Sequence, residues 1–164
     1  MNNKINPEQL KQAMRTWITG VAIITGHHEG NVHGMTANSF NSIALSPPTV
    51  LVALAQHTRT RHLVKDGGVF GVSILNKSQR KLAQRFAGQT HSDTPRFEGV
   101  ETFILETGAP LIKEAMAYLD CKVVHSFDIG DTTVFLGEVL RAEIGTDGHK
   151  PLLYFNRQWR KLAK

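Results

Sequence analysis

The sequence predicts a mainly β fold of the α+β class, an antiparallel Greek-key barrel with peripheral helices. Three observations carry this. Six or seven segments of strand length alternate in polarity or run β-branched between turn residues. The helical patterns sit in connections, without the repeated strand–helix–strand rhythm of a parallel sheet. The two longest alternating segments flank Ile129-Gly130-Asp131, which reads as the turn of one long hairpin. At 164 residues, 41% of them hydrophobic, the chain suits one domain, residues 1–164, with a sizeable core.

Each element follows from local chemistry. Asn6-Pro7-Glu8-Gln9 opens a helix, with a cap residue, proline at the first helical position and glutamine three residues after the cap. Leu10, Met14 and Trp17 then share one face, opposite Lys11, Gln12 and Arg15, a narrow stripe suited to covering a barrel end or an interface. Residues 20–25 form a β-branched run expected to be buried on both faces, and Glu29-Gly30-Asn31 turns it into an antiparallel strand over 34–40. Residues 41–45 continue onward until Ser46-Pro47-Pro48 interrupts, and 49–55 make the next strand. Thr58 begins a short helix running through Lys65, and 69–75 is the fourth strand. A helix from Asn76 turns Leu82, Ala83 and Phe86 inward and Lys77, Arg80, Lys81 and Arg85 outward, and Phe86-Ala87-Gly88 closes it. Loop 89–99, with His91, Asp93, Pro95 and Arg96, is long and polar enough to be a moving rim over a ligand. Residues 115–128 and 132–144 make the long hairpin, with Glu138 near the middle of its second strand. Residues 151–155, then Arg157, Trp159 and Arg160, end the described pattern as an edge strand with a basic, aromatic tail.

Composition narrows the function. No apolar run approaches the roughly 18 residues of a membrane span. Met1-Asn2-Asn3-Lys4 lacks a hydrophobic signal region, so the expectation is a cytoplasmic protein. Cys121 is the single cysteine, which rules out an intrachain disulfide or a multi-cysteine metal site and suggests a buried thiol. The formal charge of +5 favours anionic ligands, phosphorylated cofactors included, without requiring nucleic acid. His27, His28 and His33 read as surface residues rather than metal ligands, because adjacent strand histidines face opposite ways and no carboxylate or thiol cluster joins them. There is no Gly-x-Gly-x-x-Gly opening a helix, no phosphate-cradling Walker loop, no nucleophile elbow around Ser39 and no HExxH.

One stretch stands apart. Gly34-Met35-Thr36-Ala37-Asn38-Ser39-Phe40 is nearly free of bulky aliphatic residues, where a strand filled for packing would carry Val, Ile or Tyr. Short polar side chains and accessible backbone donors let a flat ligand approach, although the same composition suits a polar turn or an edge strand. Further on, His57-Thr58-Arg59-Thr60-Arg61 gathers hydroxyls and guanidiniums at a helix start, where free backbone donors suit phosphate.

These residues carry a resemblance. Residues 19–25 (Thr-Gly-Val-Ala-Ile-Ile-Thr), 34–40, Ser42-x-x-Leu45-x-Pro47-Pro48, Thr58-Arg59-Thr60, Phe86-Ala87-Gly88 and Arg96-Phe97-x-Gly99-Val100 are similar in order and spacing to the flavin reductase-like family of split barrels. Gly108-Ala109-Pro110-Leu111, Phe135-x-Gly137-Glu138-Val139 and Pro151-Leu152-Leu153-Tyr154 extend the match over nearly the whole chain. The resemblance implies a homodimeric split barrel that binds FMN or FAD, reduces it with NADH or NADPH, and supplies a separate oxygenase. It assigns Thr36, Ala37, Asn38, Ser39, Ser42 and Ile43 to the flavin ring and ribityl chain, and Thr58 and Thr60 to the phosphate, with Arg59 and Arg61 as the basic end. Phe86, Ala87 and Gly88 complete the pocket, while Tyr154, Phe155, Asn156 and Arg157 lie towards the nicotinamide. No side chain is assigned as a nucleophile or general base, since hydride passes directly between cofactors and the protein aligns them. On this reading Ala37→Leu obstructs flavin and leaves the fold intact.

Departures keep alternatives open. Relatives of this family commonly have Gly-Asp-His in the hairpin turn, with the histidine near the nicotinamide, where this chain has Gly130-Asp131-Thr132. Ala44 and Ser46 stand where relatives often carry Ser and Asp, and His125 is either a substitute at the same barrel mouth or an ordinary strand histidine. The alternatives are a flavin store or sensor without efficient NAD(P)H oxidation, a pyridoxamine-phosphate-oxidase-like activity, and a basic barrel for nucleic acid.

Overall fold

Asn6 starts helix α1 (Pro7–Met14) with the anticipated capping box: its side chain accepts the Glu8 N–H at 3.0 Å, and Gln9 accepts the Asn6 N–H at 2.9 Å. This computed structural model describes residues 6–90, 95–145 and 150–162, so His91 and Asp93 lie outside the described residues. No residue of α1 is buried, and Leu10, Met14 and Trp17 are 53%, 54% and 65% exposed. Within one chain the stripe covers no barrel end.

Seven strands form one antiparallel sheet: β2 (Ala22–His28), β3 (Asn31–Ala37), β4 (Phe40–Leu45), β5 (Pro48–Ala55), β6 (Val69–Ile74), β9 (Ala117–Ile129) and β10 (Thr132–Ile144). Their order is β3-β2-β6-β9-β10-β5-β4. The two edge strands, β3 and β4, are consecutive in the chain and joined through Asn38-Ser39, yet they do not pair. The expected continuous run from 34 to 45 is thus broken at Asn38-Ser39, where the chain crosses from one edge of the sheet to the other. Residues from both ends of the order, Ala37 of β3 and Val50, Val52 and Leu54 of β5, share one buried cluster with Ile24, Phe70, Val72, Cys121 and Phe135. Sharing a core across the whole order requires the sheet to curl, and the missing β3–β4 pairing leaves a barrel split along one seam.

Helix α2 (Arg59–Gly67) contributes Val64 to that core and packs on β2 and β3. Thr58 caps it, and Gly68 ends it in the left-handed region at φ 68°. A 3-10 turn (Lys77–Gln79), started by Asn76, leads into α3 (Arg80–Phe86), which lies outside the barrel on β2 and β3. Ala83 and Phe86 are buried there with Val21, Ile23, Leu111, Tyr118 and Leu152 in a second cluster. The β9–β10 hairpin turns at Gly130-Asp131 with two register shifts along its length. The tail is a hairpin rather than a lone edge strand: β11 (Leu152–Phe155) and β12 (Gln158–Lys161) pair and dock on β1 (Thr19–Gly20). Short β7 (Thr102–Phe103) and β8 (Leu111–Ile112) form a further pair that the pattern did not predict. Cys121 is fully buried, and burial foremost, with Asp120 beside it, raises its thiol to about 12. No helix among the described residues is long and apolar enough to cross a membrane.

Candidate functional site

The outer face of β3 carries small residues of the 34–40 stretch. Gly34, Thr36 and Asn38 share that face, because alternate residues of a strand point the same way. The Thr36 hydroxyl donates to the Ala83 carbonyl of α3 at 2.7 Å. Gly34 lies against the Phe86 ring so closely that a Cβ would fall 2.9 Å from Phe86 Cε1, so this contact requires glycine. Ala87 and Gly88, exposed at the end of α3, border the same strip, and Arg96 closes it by donating to the Gly34 carbonyl at 2.7 Å. Phe86 is itself fully buried beneath, with its ring edge-on to Phe97 at 5.1 Å.

Asn38 is exposed and borders three adjoining cavities. One of about 180 Å³ is lined by Thr36, Ala37, Ala87, Gln89, Tyr154 and Trp159 among others. A second, about 610 Å³, runs between Met14 to Ala22 on one side and Ala37, Ser39, Phe40 and Asn41 on the other. The third, about 250 Å³, lies between α1 and the β11–β12 turn and reaches Tyr154, Phe155, Asn156 and Arg157. Two groups of residues separated by more than a hundred positions therefore meet at Asn38. Ala37 borders the first two cavities, yet it is only 8% exposed and belongs to the barrel core. That corrects the expectation for Ala37→Leu, because a larger side chain there presses into packed interior. Ser39 borders the second cavity and donates its hydroxyl to Ala53 O at 2.6 Å. Ser42 and Ile43 lie exposed on β4, at a register shift, and line none of these cavities.

The other end of β3 is polar, and there His33 turns to the face opposite Gly34 and Thr36, towards α2. His33 is half-buried, and its Nδ1 is 2.8 Å from the Thr60 hydroxyl, so it is not a free surface residue. Burial lowers its pKa most, the Arg96 and Arg59 charges lower it further, and the value falls to about 4. Two guanidinium fields therefore converge beside a neutral imidazole, an arrangement that attracts an anion. Arg59 is exposed and donates to Asn31 Oδ1 at 3.4 Å. Arg61 is corrected as a partner of this end: it is 8% exposed, and its Nε donates to the Thr133 hydroxyl at 2.8 Å while the guanidinium pairs with Asp128 at 3.4 Å. Thr58 and Thr60 also spend their hydroxyls within the protein, Thr58 donating to Ala55 O at 2.7 Å and Thr60 meeting His33. Arg96, not Arg61, stands with Arg59 near His33, and its signal was its position in the polar rim loop.

Two departures from the family pattern can be located. Thr132 lies opposite Ala55 of β5, with its hydroxyl donating to Asp131 Oδ1 at 3.1 Å, and it lines none of the three cavities. His125 is exposed on β9, 6.0 Å ring to ring from Phe127. Sequence reasoning missed Trp17, Arg15 and Trp159 as cavity walls, since their positions depend on how the two termini meet.

Comparison with known proteins identifies the family. A model of the Flavin reductase like domain matches residues 14–163. The chain is 38% identical over 149 residues to the NADH-dependent flavin reductase StyB of Pseudomonas fluorescens, an alignment covering 88% of this chain and 84% of that one. It is 32% identical over 156 residues to the reductase component of 4-hydroxyphenylacetate 3-monooxygenase from Thermus thermophilus, covering 95% and 97% of the two chains. The structure of flavin reductase PheA2 in its native state superposes with a TM-score of 0.88 at 35% identity, covering 98% of this chain and 100% of that one. With the split barrel, the small-residue face of β3 and nearly full-length similarity in agreement, the chain belongs to the flavin reductase-like family.

Proposed function

We propose that this protein is an NADH-dependent flavin reductase that supplies reduced flavin to a separate monooxygenase. The observation that carries the reading is the free edge of β3, with an open pocket at Asn38 at one end and Arg59 and Arg96 beside His33 at the other. From His33 to Asn38 a strand spans about 16 Å, a length matching a flat ring, a polyol chain and one phosphate. The donor set fits FMN or FAD, with amide and hydroxyl groups at the ring end and guanidiniums at the phosphate end.

Bound flavin supplies a ring that accepts hydride from a reduced nicotinamide. The chain binds and orients. Asn38 and the backbone of residues 36–38 hold the ring edge, Ala87 and Gly88 form its second wall, and Arg59 with Arg96 neutralise the phosphate. Tyr154, Phe155, Asn156 and Arg157 adjoin the same pocket and receive the nicotinamide dinucleotide, NADH or NADPH. Holding two reactants in one geometry is the main catalytic contribution such a site makes.

The working form is a cytoplasmic homodimer of single-domain chains. Its support is the exposed apolar set on α1 and β4, where Ile43 is 54% and Leu45 91% exposed beside the unburied α1 stripe. Ser42 and Ile43, which line none of the three cavities at Asn38, then face the partner's flavin. Light scattering in solution tests this, and a monomer at micromolar concentration refutes it.

The activity test is anaerobic: NADH is added to protein with stoichiometric FMN, and loss of yellow absorbance is followed against a protein-free control. Rapid bleaching is the expected result. A second reading, a flavin store, is favoured by Thr132, whose hydroxyl turns to Asp131 where the family has a histidine. Tight flavin binding without bleaching, repeated with FAD and with NADPH, selects that reading.

A further inference from the structure

The positive charge of the chain is concentrated on one exterior helix. Against a formal charge of +5 for the whole chain, residues 76–90 carry Lys77, Arg80, Lys81 and Arg85 and no Asp or Glu. Lys77, Arg80 and Lys81 are exposed and form no ion pair among the described residues. A solvated helix face ordinarily interleaves both signs. Cations grouped without a carboxylate leave a local field that attracts a partner surface of opposite sign.

A groove of about 440 Å³ runs beside these cations. Lys81, Leu82 and Arg85 of α3 line one side, and Val100, Ile112 and Lys113 are on the other. Its shape is fixed, because the buried Gln79 side chain donates to the Lys113 carbonyl at 2.9 Å and Arg85 donates to the Glu98 carbonyl at 2.8 Å. An occupant therefore meets a preformed surface, which lowers the cost of binding. α3 runs on into Ala87, which lines a cavity at Asn38, so one short helix carries both the groove and the second wall of the flavin pocket. The groove shares no lining residue with the three cavities at Asn38, so docking and flavin binding are compatible.

The chemistry of the groove selects the kind of partner. Its lining has no aromatic side chain on which a base could stack. It includes two carboxylates, Glu114 and Glu101, the latter paired with Lys113 at 3.1 Å, which repel a phosphate backbone. Among the described residues no large exposed apolar side chain lies within 76–90, as insertion into a lipid surface requires. Cations beside an aliphatic lining of Leu82, Val100 and Ile112 match a protein segment that is acidic and carries an aliphatic side chain. We propose that the α3 groove is the docking surface for an acidic, leucine-bearing segment of the protein that accepts the reduced flavin. This rests on the reductase reading for the partner's role, whereas the charge and shape of the groove stand apart from it.

Fluorescence anisotropy of a fluorescein-labelled peptide built on the repeat Glu-Glu-Leu, titrated with the purified full-length protein at low salt, tests the groove. Lys81→Glu weakens binding by roughly tenfold or more, whereas Lys65→Glu, an exposed site on α2 with the same change of net charge, shifts it by about twofold or less. A peptide with serine in place of leucine binds roughly tenfold more weakly, because the aliphatic lining is no longer filled. Saturating FMN leaves the affinity for the peptide unchanged. Absence of binding to wild type, equal losses in the two variants, or indifference to leucine overturns the proposal. So does competition with FMN, which places the peptide at Arg59 and Arg96, and so does tighter Lys81-dependent binding of oligothymidylate or of phosphatidylglycerol vesicles. Peptide binding with the expected dependences, in a protein that reduces no flavin, upholds the groove and removes only the reductase reading.

Discussion

Gly34→Ala is the most informative perturbation of the site, because one methyl group tests the seam between β3 and α3. Built on the existing backbone, the new Cβ falls 2.9 Å from Phe86 Cε1, 3.1 Å from Cδ1 and 3.2 Å from Thr25 Cγ2. Carbon atoms prefer about 3.5–4.0 Å, so the ring must retreat by roughly 0.6 Å or more. It has little room: Phe86 is fully buried and held edge-on by Phe97 at 5.1 Å. The strain passes to α3, which carries Ala87 and Gly88, and to the Thr36–Ala83 hydrogen bond of 2.7 Å. Overpacking of this kind costs about 1–3 kcal/mol, which for a chain of this size lowers the melting temperature by roughly 2–4 °C per kcal/mol. Flavin affinity falls with it, because the second wall of the pocket moves. Thermal denaturation and quenching of flavin fluorescence read the two effects. Gly20→Ala, where a Cβ meets nothing within 4 Å, is the control. If Gly34→Ala keeps wild-type melting and flavin affinity, the Phe86 contact does not set the pocket and the strip argument fails.

Arg59→Ala weakens FMN binding by about tenfold or more, the scale of one charge-assisted contact, and leaves riboflavin, which lacks the phosphate, unaffected; equal losses for both ligands would place the phosphate elsewhere. Ala37→Leu loses about 1–3 kcal/mol of stability by overpacking the barrel core, seen as a lower urea midpoint; an unshifted midpoint with blocked flavin would restore the earlier expectation. His33, with its pKa lowered from 6.5 to about 4, is neutral when folded while the unfolded chain takes up a proton. The folded state therefore keeps its full stability above pH 6.5 and loses some as pH falls towards 4. His33→Gln flattens that part of the pH–stability curve, and an identical curve for the variant would discount the group.

Much of the architecture was legible because its causes are local. The capping box at Asn6, the β-branched run before Glu29-Gly30, the paired prolines after Leu45 and the alternation on either side of Gly130-Asp131 all act within a few residues. The 34–40 stretch was legible for a complementary reason, since its lack of bulk sets it apart from a strand filled for packing. The break at Asn38-Ser39 was not legible: local composition allows one strand from 34 to 45, and only closure of the curled sheet divides it between opposite edges.

What the sequence by itself determined is the set of elements, the β-rich class and the family, because short-range patterns and ordered motifs survive without knowledge of distant neighbours. Tertiary structure alone decided which charges serve the site. Arg61, adjacent in sequence to the residues of the phosphate end, turns inward to Thr133 and Asp128, while Arg96, more than thirty residues later, reaches Gly34. It also brought Arg15 of the first helix beside Arg157 of the last hairpin. The physical reason is the same in each case: a side chain's role depends on which surface its backbone segment packs against, and that pairing is made by long-range burial, to which local sequence is blind.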